Sequence, residues 1–200
     1  MEAGKEVITG IDLAALEKNP TEWTYWKDKQ VSTCHIYKDE EIINSTINCQ
    51  PRIVAVDAPL TMPKTGTTRK ADREMLRNGY PVFPPLMCGM KTLTKRAVSL
   101  AHILRTSRLS VIEVHPSSTR KALGMPTKDW QKIQTILKQI GLKGDVEKRT
   151  LTLHEIDAVT AALTAYLCLQ ERTRSVGDGK EGYIVVPERE NWRQLKNERT

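Results

Sequence analysis

Four carboxylates stand in apolar stretches of the chain, where a folded protein normally buries hydrocarbon. They are Asp12 in VITGIDLA, Asp57 in RIVAVDAPL, Glu113 in LSVIEVHPSS and Asp157 in LHEIDAVTAALTAYL. Because an unpaired buried charge is costly, we expect the four to share a positively charged partner, and a divalent cation is the simplest one. Oxygen ligands without clustered His or Cys favour magnesium or manganese over zinc.

Short apolar runs predict buried strands that end at three of these acids. The first run, residues 7 to 14, ends near Asp12, RIVAVD ends at Asp57, and residues 109 to 114 contain Glu113. Between the first two runs, TEWTYWKDKQVSTCHIYKD alternates on both sides of the polar turn at residues 27 to 30. This pattern predicts a β-hairpin.

Helical spacing of apolar residues predicts the elements that connect the strands. The predicted helices cover residues 39–49, 92–106, 117–123 and 128–140. A capping box, Thr152-x-x-Glu155, opens a last helix that runs to Leu169, with Asp157 just inside its first turns. Residues 182–186 predict an edge strand or an extended arm before a charged tail.

This order of elements predicts an α/β fold with a mixed sheet and flanking helices. Strands joined by helical crossovers run parallel, whereas the hairpin extends the sheet antiparallel on the other side of the first strand. Asp12, Asp57 and Glu113 then lie at the carboxyl ends of parallel strands, where open α/β sheets bind ligands beside a reversal of strand order. The small face of the last helix, formed by Ala158, Ala161, Ala162 and Ala165, would pack on the sheet and bring Asp157 close.

The length of 200 residues predicts a single domain over residues 1–200. Within it, residues 61–90 are rich in proline, glycine and basic side chains, with one short predicted helix near residues 69–78. The regular distribution of Met, Leu, Tyr and Phe in this segment predicts an ordered lid. Residues 182–200 are expected to form a short strand and tail.

Charge and composition narrow the classes of partner and compartment. The net charge is +7 and the pI about 9.3, which favours phosphates or polyanions such as nucleic acid as partners. The sequence lacks an apolar run long enough for a bilayer and a signal-peptide pattern, so a cytoplasmic protein with no membrane partner is expected. Four scattered cysteines suit reduced core thiols.

Basic side chains and histidines near the carboxylate motifs are candidates for substrate contacts. Phosphate could be held by Arg69, Lys70 and Arg73 of the lid and by Arg120 and Lys121, although each of them could equally be a solvated surface residue. His115 and His154 could relay a proton or form hydrogen bonds to the carboxylates that bind the metal. The hydroxyl-rich helix start at residues 117–119 is an alternative anion site.

The motifs together resemble a known family. GIDLA followed by the hairpin, VAVDAPL with TGTTRKADREMLRNGYPVFPP, VIEVHPSSTRKAL and HEIDAVTAALTAY are similar to the family named domain of unknown function 429, predicted nucleases of RNase H-like fold. The resemblance spans residues 5 to 187. It implies that Asp12, Asp57 and Asp157 take the roles of the acids on the first strand, the fourth strand and a late helix, which bind two metals in that superfamily.

Glu113 departs from the pattern that this resemblance implies. In ribonuclease H the additional acid comes from the helix after the hairpin, where this chain has Asp39, Glu40 and Glu41. The fourth ligand and the number of metals therefore stay open.

The leading hypothesis is a nuclease that hydrolyses phosphodiester bonds with a magnesium or manganese ion held by the four carboxylates. Two alternatives remain: a phosphotransferase or nucleotide phosphohydrolase of the same fold that acts as a homodimer, and a nucleic-acid-binding module without turnover. The sequence does not distinguish DNA from RNA, endonucleolytic from exonucleolytic cleavage, or one substrate structure from another.

Overall fold

The computed structural model describes residues 6–197. Eight strands form one sheet in this part of the chain, in the order β6-β3-β2-β1-β4-β5-β8-β7. The strands are β1 (Val7–Asp12), β2 (Thr21–Lys27), β3 (Gln30–Ile36), β4 (Ile53–Asp57), β5 (Val111–Val114), β6 (Lys143–Gly144), β7 (Thr173–Asp178) and β8 (Gly182–Pro187). The helices are α1 (Asp39–Cys49), α2 (Lys70–Arg77), α3 (Met90–Thr106), α4 (Pro116–Ala122), α5 (Trp130–Gln139), α6 (Asp145–Lys148), α7 (Leu153–Leu169) and a final 3-10 turn (Trp192–Asn197).

The predicted mixed sheet is confirmed. Strands β1, β4, β5 and β8 run parallel, and the β2–β3 hairpin pairs antiparallel with β1 on its other side. The hairpin turns at Asp28 and Lys29, which both adopt positive φ angles, as the tight turn of a two-residue hairpin requires. The order of strands therefore reverses beside β1, as the sequence predicts.

The sheet separates two hydrophobic layers because side chains alternate along each strand. Ile53 and Ala55 of β4 face α5 and α7, whereas Val54 and Val56 face α1 and α3. We refer to these as the α7 face and the α3 face. A third cluster packs the α2 region against β7 and β8; its members include Ala71, Met75, Tyr80, Val176 and Ile184.

Helix α7 lies unusually close to β1 because Gly10 has no side chain. A Cβ atom at Gly10 would stand 2.1 Å from the carbonyl oxygen of Ala158 and 2.6 Å from the amide nitrogen of Ala162. The predicted small face of this helix is thus in contact with the sheet. The close approach holds the start of α7 above the carboxyl end of β1, where Asp12 lies.

Two details of the predicted fold are wrong. Strand β8 is not an edge strand, because β7 pairs with it and forms the edge. The sequence RTRSVGDG gave little signal for β7, since polar residues and Gly177 interrupt its apolar pattern. The two-residue strand β6 and the four-residue helix α6 were also not predicted.

The segment predicted to be a lid, residues 61–90, connects β4 to α3. Its regular part is α2, which begins one residue after Arg69 and ends before Asn78. Among the helices in residues 6–197, none combines the length and apolar character needed to cross a bilayer.

Candidate functional site

Two carboxylates end neighbouring parallel strands in the middle of the sheet. Asp12 of β1 and Asp57 of β4 are direct partners in the register. Both lie on the α7 face, because they continue the alternation of Ile8 and Gly10 on β1 and of Ile53 and Ala55 on β4. The two carboxylates are therefore neighbours at the carboxyl ends of their strands. The backbones of adjacent strands are about 4.8 Å apart.

Helix α7 adds two further side chains above this pair. Its capping box forms as predicted, with Thr152 and Glu155 exchanging hydrogen bonds, and this fixes the helix start. His154 Nδ1 lies 2.7 Å from Asp12 Oδ2, and this hydrogen bond raises the pKa of His154. Asp157, three residues on, lies on the same side of the helix and interacts electrostatically with Asp12 and Asp57.

The negative charge of this group is incompletely compensated within the protein. Burial raises the pKa of Asp57 well above its usual range, and the nearby charges of Asp12 and Asp157 raise it further. No residue from 6 to 197 donates a hydrogen bond to the Asp57 carboxylate. A divalent cation would neutralise the charge of these grouped carboxylates, so the three acids fit a divalent metal.

Arg120 of α4 is the cation that the protein itself places beside the three acids. Its Nη1 donates to Asp157 Oδ1 at 2.5 Å, and its charge lowers the pKa of both Asp157 and Asp57 without cancelling the effect of burial. Arg120 is 3% exposed, and its Nε has no hydrogen-bond partner among the described residues. Because Arg120 is buried and donates to Asp157, it holds the Asp157 carboxylate in position.

Glu113 does not join this group. It lies on the α3 face, since it pairs with Val56 and alternates with Ile112 and Val114 of the α7 face. There its two oxygens accept hydrogen bonds from Arg69 Nη1 and Nη2 at 2.7 and 2.6 Å, and Oε2 also accepts the Leu60 N–H. Both oxygens of this carboxylate are therefore bound within the protein, and its charge is paired with Arg69.

Arg69 is completely enclosed rather than available to a phosphate. Its side chain is 1% exposed and also donates to Asp72, at 2.7 Å from Nη2 to Oδ1. Burial would lower the pKa of Arg69, but the hydrogen bonds and charges of Glu113 and Asp72 raise it. This buried ion group, which we call the Arg69 cluster, joins the segment after β4 to β5.

The other proposed phosphate contacts lie on the surface and have local partners. Lys121 Nζ donates to the carbonyl oxygen of Gly79, and Arg73 Nη1 donates to that of Thr68. Lys70 Nζ lies 3.8 Å from carboxylate oxygens of Glu74 and Asp178. These three cations remain candidates for contact with a polyanion.

His115 caps the carboxyl end of β5 at the start of α4. Burial and the charge of Arg120 lower its pKa to about 4, so the imidazole is neutral near pH 7. Its Nδ1 lies 2.7 Å from Ser118 Oγ. His115 can therefore offer or accept a hydrogen bond there, but it does not add positive charge.

A cavity of about 200 Å³ opens at this end of the sheet. Its polar wall includes Asp12, Asp57, Glu113 and His115. Its apolar lining includes Val82, Phe83, Met90, Leu93 and Ile184. The cavity gives a ligand access to the Asp12–Asp57 pair from the lid side.

The sequence patterns did not predict one group of ionisable residues near Asp12. Glu22 pairs with Asp12 across the β1–β2 register and with His35 across the hairpin, and Glu155 lies above them. A usable signal existed, because hairpin alternation puts Glu22 on the same face as Trp26. The sequence reasoning assigned Glu155 only to the capping box.

The fold is RNase H-like, and solved structures of similar shape share it. A structure described as Thermus thermophilus RuvC in complex with Holliday junction substrate matches with a TM-score of 0.54 and 12% identity, covering 89% of this chain and 99% of that one. A second structure of Thermus thermophilus RuvC matches with a TM-score of 0.50 and 12% identity, covering 82% and 96%. No curated protein matches.

Residues 10–182 match the family described as Protein of unknown function (DUF429). The chain belongs to this family. The match includes every carboxylate of the site, and it confirms the resemblance seen in the sequence.

Proposed function

We propose that the protein is a divalent-cation-dependent nuclease whose centre is formed by Asp12, Asp57 and Asp157. The observation that carries the proposal is the Asp57 carboxylate, which is the register partner of Asp12, has a raised pKa from burial and from the charges of Asp12 and Asp157, and accepts no hydrogen bond from the described residues. Three carboxylates from two strand ends and one helix form an oxygen-rich set that suits magnesium or manganese. RuvC, a protein of this fold, was solved with a Holliday junction, which supports nucleic acid as the substrate class.

Asp12 and Asp57 would hold the cation from the sheet, and Asp157 would hold it from α7. When bound, the cation activates water and stabilises the leaving oxygen of a phosphodiester. His154 is hydrogen-bonded to Asp12 and has a raised pKa, so it can fix the Asp12 carboxylate or take part in proton transfer. Arg120 keeps Asp157 in place and limits repulsion among the acids.

Glu113 has a structural role in this proposal. Its pairing with the buried Arg69 holds the segment after β4 against β5, next to the carboxyl end that carries Asp57. The net charge of +7 supports attraction of a polyanion to a protein whose centre is itself acidic. Lys70, Arg73 and Lys121 are exposed cations that could contribute to this attraction.

A cleavage screen tests the proposal. Labelled four-way junction, flap, hybrid, duplex and single-stranded substrates are incubated with Mg²⁺, Mn²⁺ or chelator. We expect cation-dependent cleavage of at least one substrate, and Asp12→Asn should reduce its rate by more than about 100-fold, since even the loss of a residue that only supports a metal ligand costs 10–100-fold. Glu147→Gln, an exposed acid on α6, is the matched control and should leave the rate unchanged.

The same screen separates the alternatives from the sequence. A phosphotransferase or nucleotide phosphohydrolase would consume a nucleoside triphosphate and spare the polymers, and sedimentation would reveal the dimer that it needs. A binding module would retain the polymer in a gel-shift assay without cleaving it. Cleavage that persists in purified Asp12→Asn would contradict the assigned centre.

A further inference from the structure

A row of ionisable side chains crosses four adjacent strands at one register. It runs from Asp57 on β4 to Asp12 on β1, Glu22 on β2 and His35 on β3. The proposed nuclease centre uses only the first two. We propose that the other end of the row, Glu22 and His35 together with Glu155 of α7, is a second cation site that binds a transition-metal ion such as Zn²⁺.

The three side chains converge. One ligand atom from each of Glu22, His35 and Glu155 lies within 4.8 Å of the other two. Two strands and a helix start hold the set, and each element is fixed independently by the sheet register or by the capping box. A cation could therefore be bound by small movements of side chains on a rigid framework.

Glu22 is a buried carboxylate with one oxygen that accepts no hydrogen bond from the described residues. Its residue is 3% exposed, and its Oε2 is buried without a hydrogen-bond partner in the described part of the chain. His35 Nδ1 lies 2.7 Å from both oxygens, but only Oε1 has hydrogen-bond geometry. A buried carboxylate with an open oxygen is stabilised by a bound cation.

The donor types favour a different cation from the nuclease centre. An imidazole nitrogen with carboxylate oxygens suits zinc and related transition metals, whereas magnesium prefers oxygen alone. The His35 side chain is 53% exposed, so an ion can reach the site from solvent. The two ends of the row should therefore be distinguishable by the cation that each prefers.

Arg149 already binds Glu155 and would compete with a cation for that carboxylate. Its Nη2 donates to Glu155 Oε1 at 2.5 Å and to Thr33 Oγ1 at 2.6 Å. The Arg149 side chain is 42% exposed and can move into solvent when a cation approaches Glu155. Removal of this guanidinium should leave Glu155 with only its neutral donors, Thr33 Oγ1 and the Thr152 N–H, and strengthen cation binding.

Zinc titration calorimetry tests the site in a background that lacks the nuclease centre. The full-length variant with Asp57→Asn, Asp157→Asn and His154→Asn leaves Asp12 without the other ligands of the nuclease centre and without its histidine, so the result does not depend on the proposed activity. We expect saturable binding of one Zn²⁺, weakened at least about tenfold by adding either His35→Asn or Glu22→Gln. His102→Asn removes an exposed histidine of α3 and is the matched control.

Two further readouts make the test independent of folding defects. Arg149→Gln should tighten zinc binding several-fold, a gain that a misfolded variant would not give. The His35 imidazole resonances should shift on zinc addition while those of His102 stay in place. Equal zinc affinity with and without His35→Asn, or the absence of saturable binding in the background, would overturn the proposal.

Discussion

Asp57 and Glu113 lie near the carboxyl ends of neighbouring parallel strands, β4 and β5, yet their surroundings are opposite. Glu113 faces the α3 side of the sheet, where Arg69 and a backbone N–H satisfy both of its oxygens. Asp57 faces the α7 side, where burial and then the charges of Asp12 and Asp157 raise its pKa and Arg120 only partly offsets them. Carboxylates at similar places in a fold thus serve two purposes: one completes the structure, and the other is left for a ligand.

The predictions that follow try to separate these two regions, the Arg69 cluster and the Asp12–Asp57–Asp157 centre. A structural ion group should respond through the free energy of unfolding. A cation centre should respond through metal binding and catalysis, and the removal of the Asp57 charge, which has no cationic hydrogen-bond partner, should not weaken the metal-free fold.

The largest effect on stability is expected from Arg69→Met. This change leaves Glu113 and Asp72 buried without their cation, and breaking a buried ion pair in this way costs about 3–5 kcal/mol. Urea unfolding measures the loss, and Arg73→Met, an exposed arginine of α2, should stay within about 0.5 kcal/mol of the wild type. A loss for Arg69→Met no larger than that of this control would show that the cluster is not structural.

A smaller loss is expected from Gly10→Ala, which acts on the other face. The new methyl group would clash with the α7 backbone at Ala158, and overpacking of this kind costs about 1–3 kcal/mol. Because α7 carries Asp157, the displacement should also weaken Mg²⁺ binding measured by calorimetry. Unchanged stability and unchanged Mg²⁺ affinity would mean that the close contact does not position the centre.

In chelator, Asp57→Asn should increase the free energy of unfolding, whereas the two preceding changes decrease it. It removes a partly buried negative charge from a group whose pKa is raised in the fold, so we expect the unfolding free energy to increase. The same variant should lose the rise in melting temperature that Mg²⁺ gives the wild type. A destabilised Asp57→Asn that still responds to Mg²⁺ would contradict the assignment.

The pH dependence of this gain sharpens the comparison. The pKa of Asp57 is raised above its ordinary value of 3.8, so the wild-type carboxylate destabilises the metal-free fold at high pH and stops doing so once protonated. The advantage of Asp57→Asn should therefore be full above the folded-state pKa and vanish as the pH falls towards 3.8. Unfolding of both proteins in chelator over a pH series checks this, and a constant difference would refute it.

The sequence predicted the elements that carry Asp12, Asp57 and Asp157 because strong local patterns mark them. The apolar runs stop at both strand ends, and the Thr152–Glu155 capping box marks the start of α7. The face of the sheet on which each acid lies was harder to predict than the element that carries it. Side chains alternate with a period of two, so the assignment of Glu113 depended on a register that a four-residue strand does not reveal.

The Arg69 cluster could not be predicted for a different reason. Arg69 lies in a basic segment with the composition of a solvated surface, and its partner Glu113 is 44 residues away in the chain. Burial of such a side chain is decided by tertiary contacts. The row from Asp57 to His35 could be predicted only in part. The alternation of the hairpin gives the face of Glu22, but its position beside Asp12 requires the sheet order.

The most direct test of the cation centre is a crystal structure with Mn²⁺ and an anomalous difference map. We predict a peak between the Asp12 and Asp57 carboxylates on the α7 face, with oxygen ligands at about 2.0–2.4 Å, and no peak at Glu113. Crystals at saturating Mn²⁺ in which Asp12 and Asp57 have no metal bound would contradict the account.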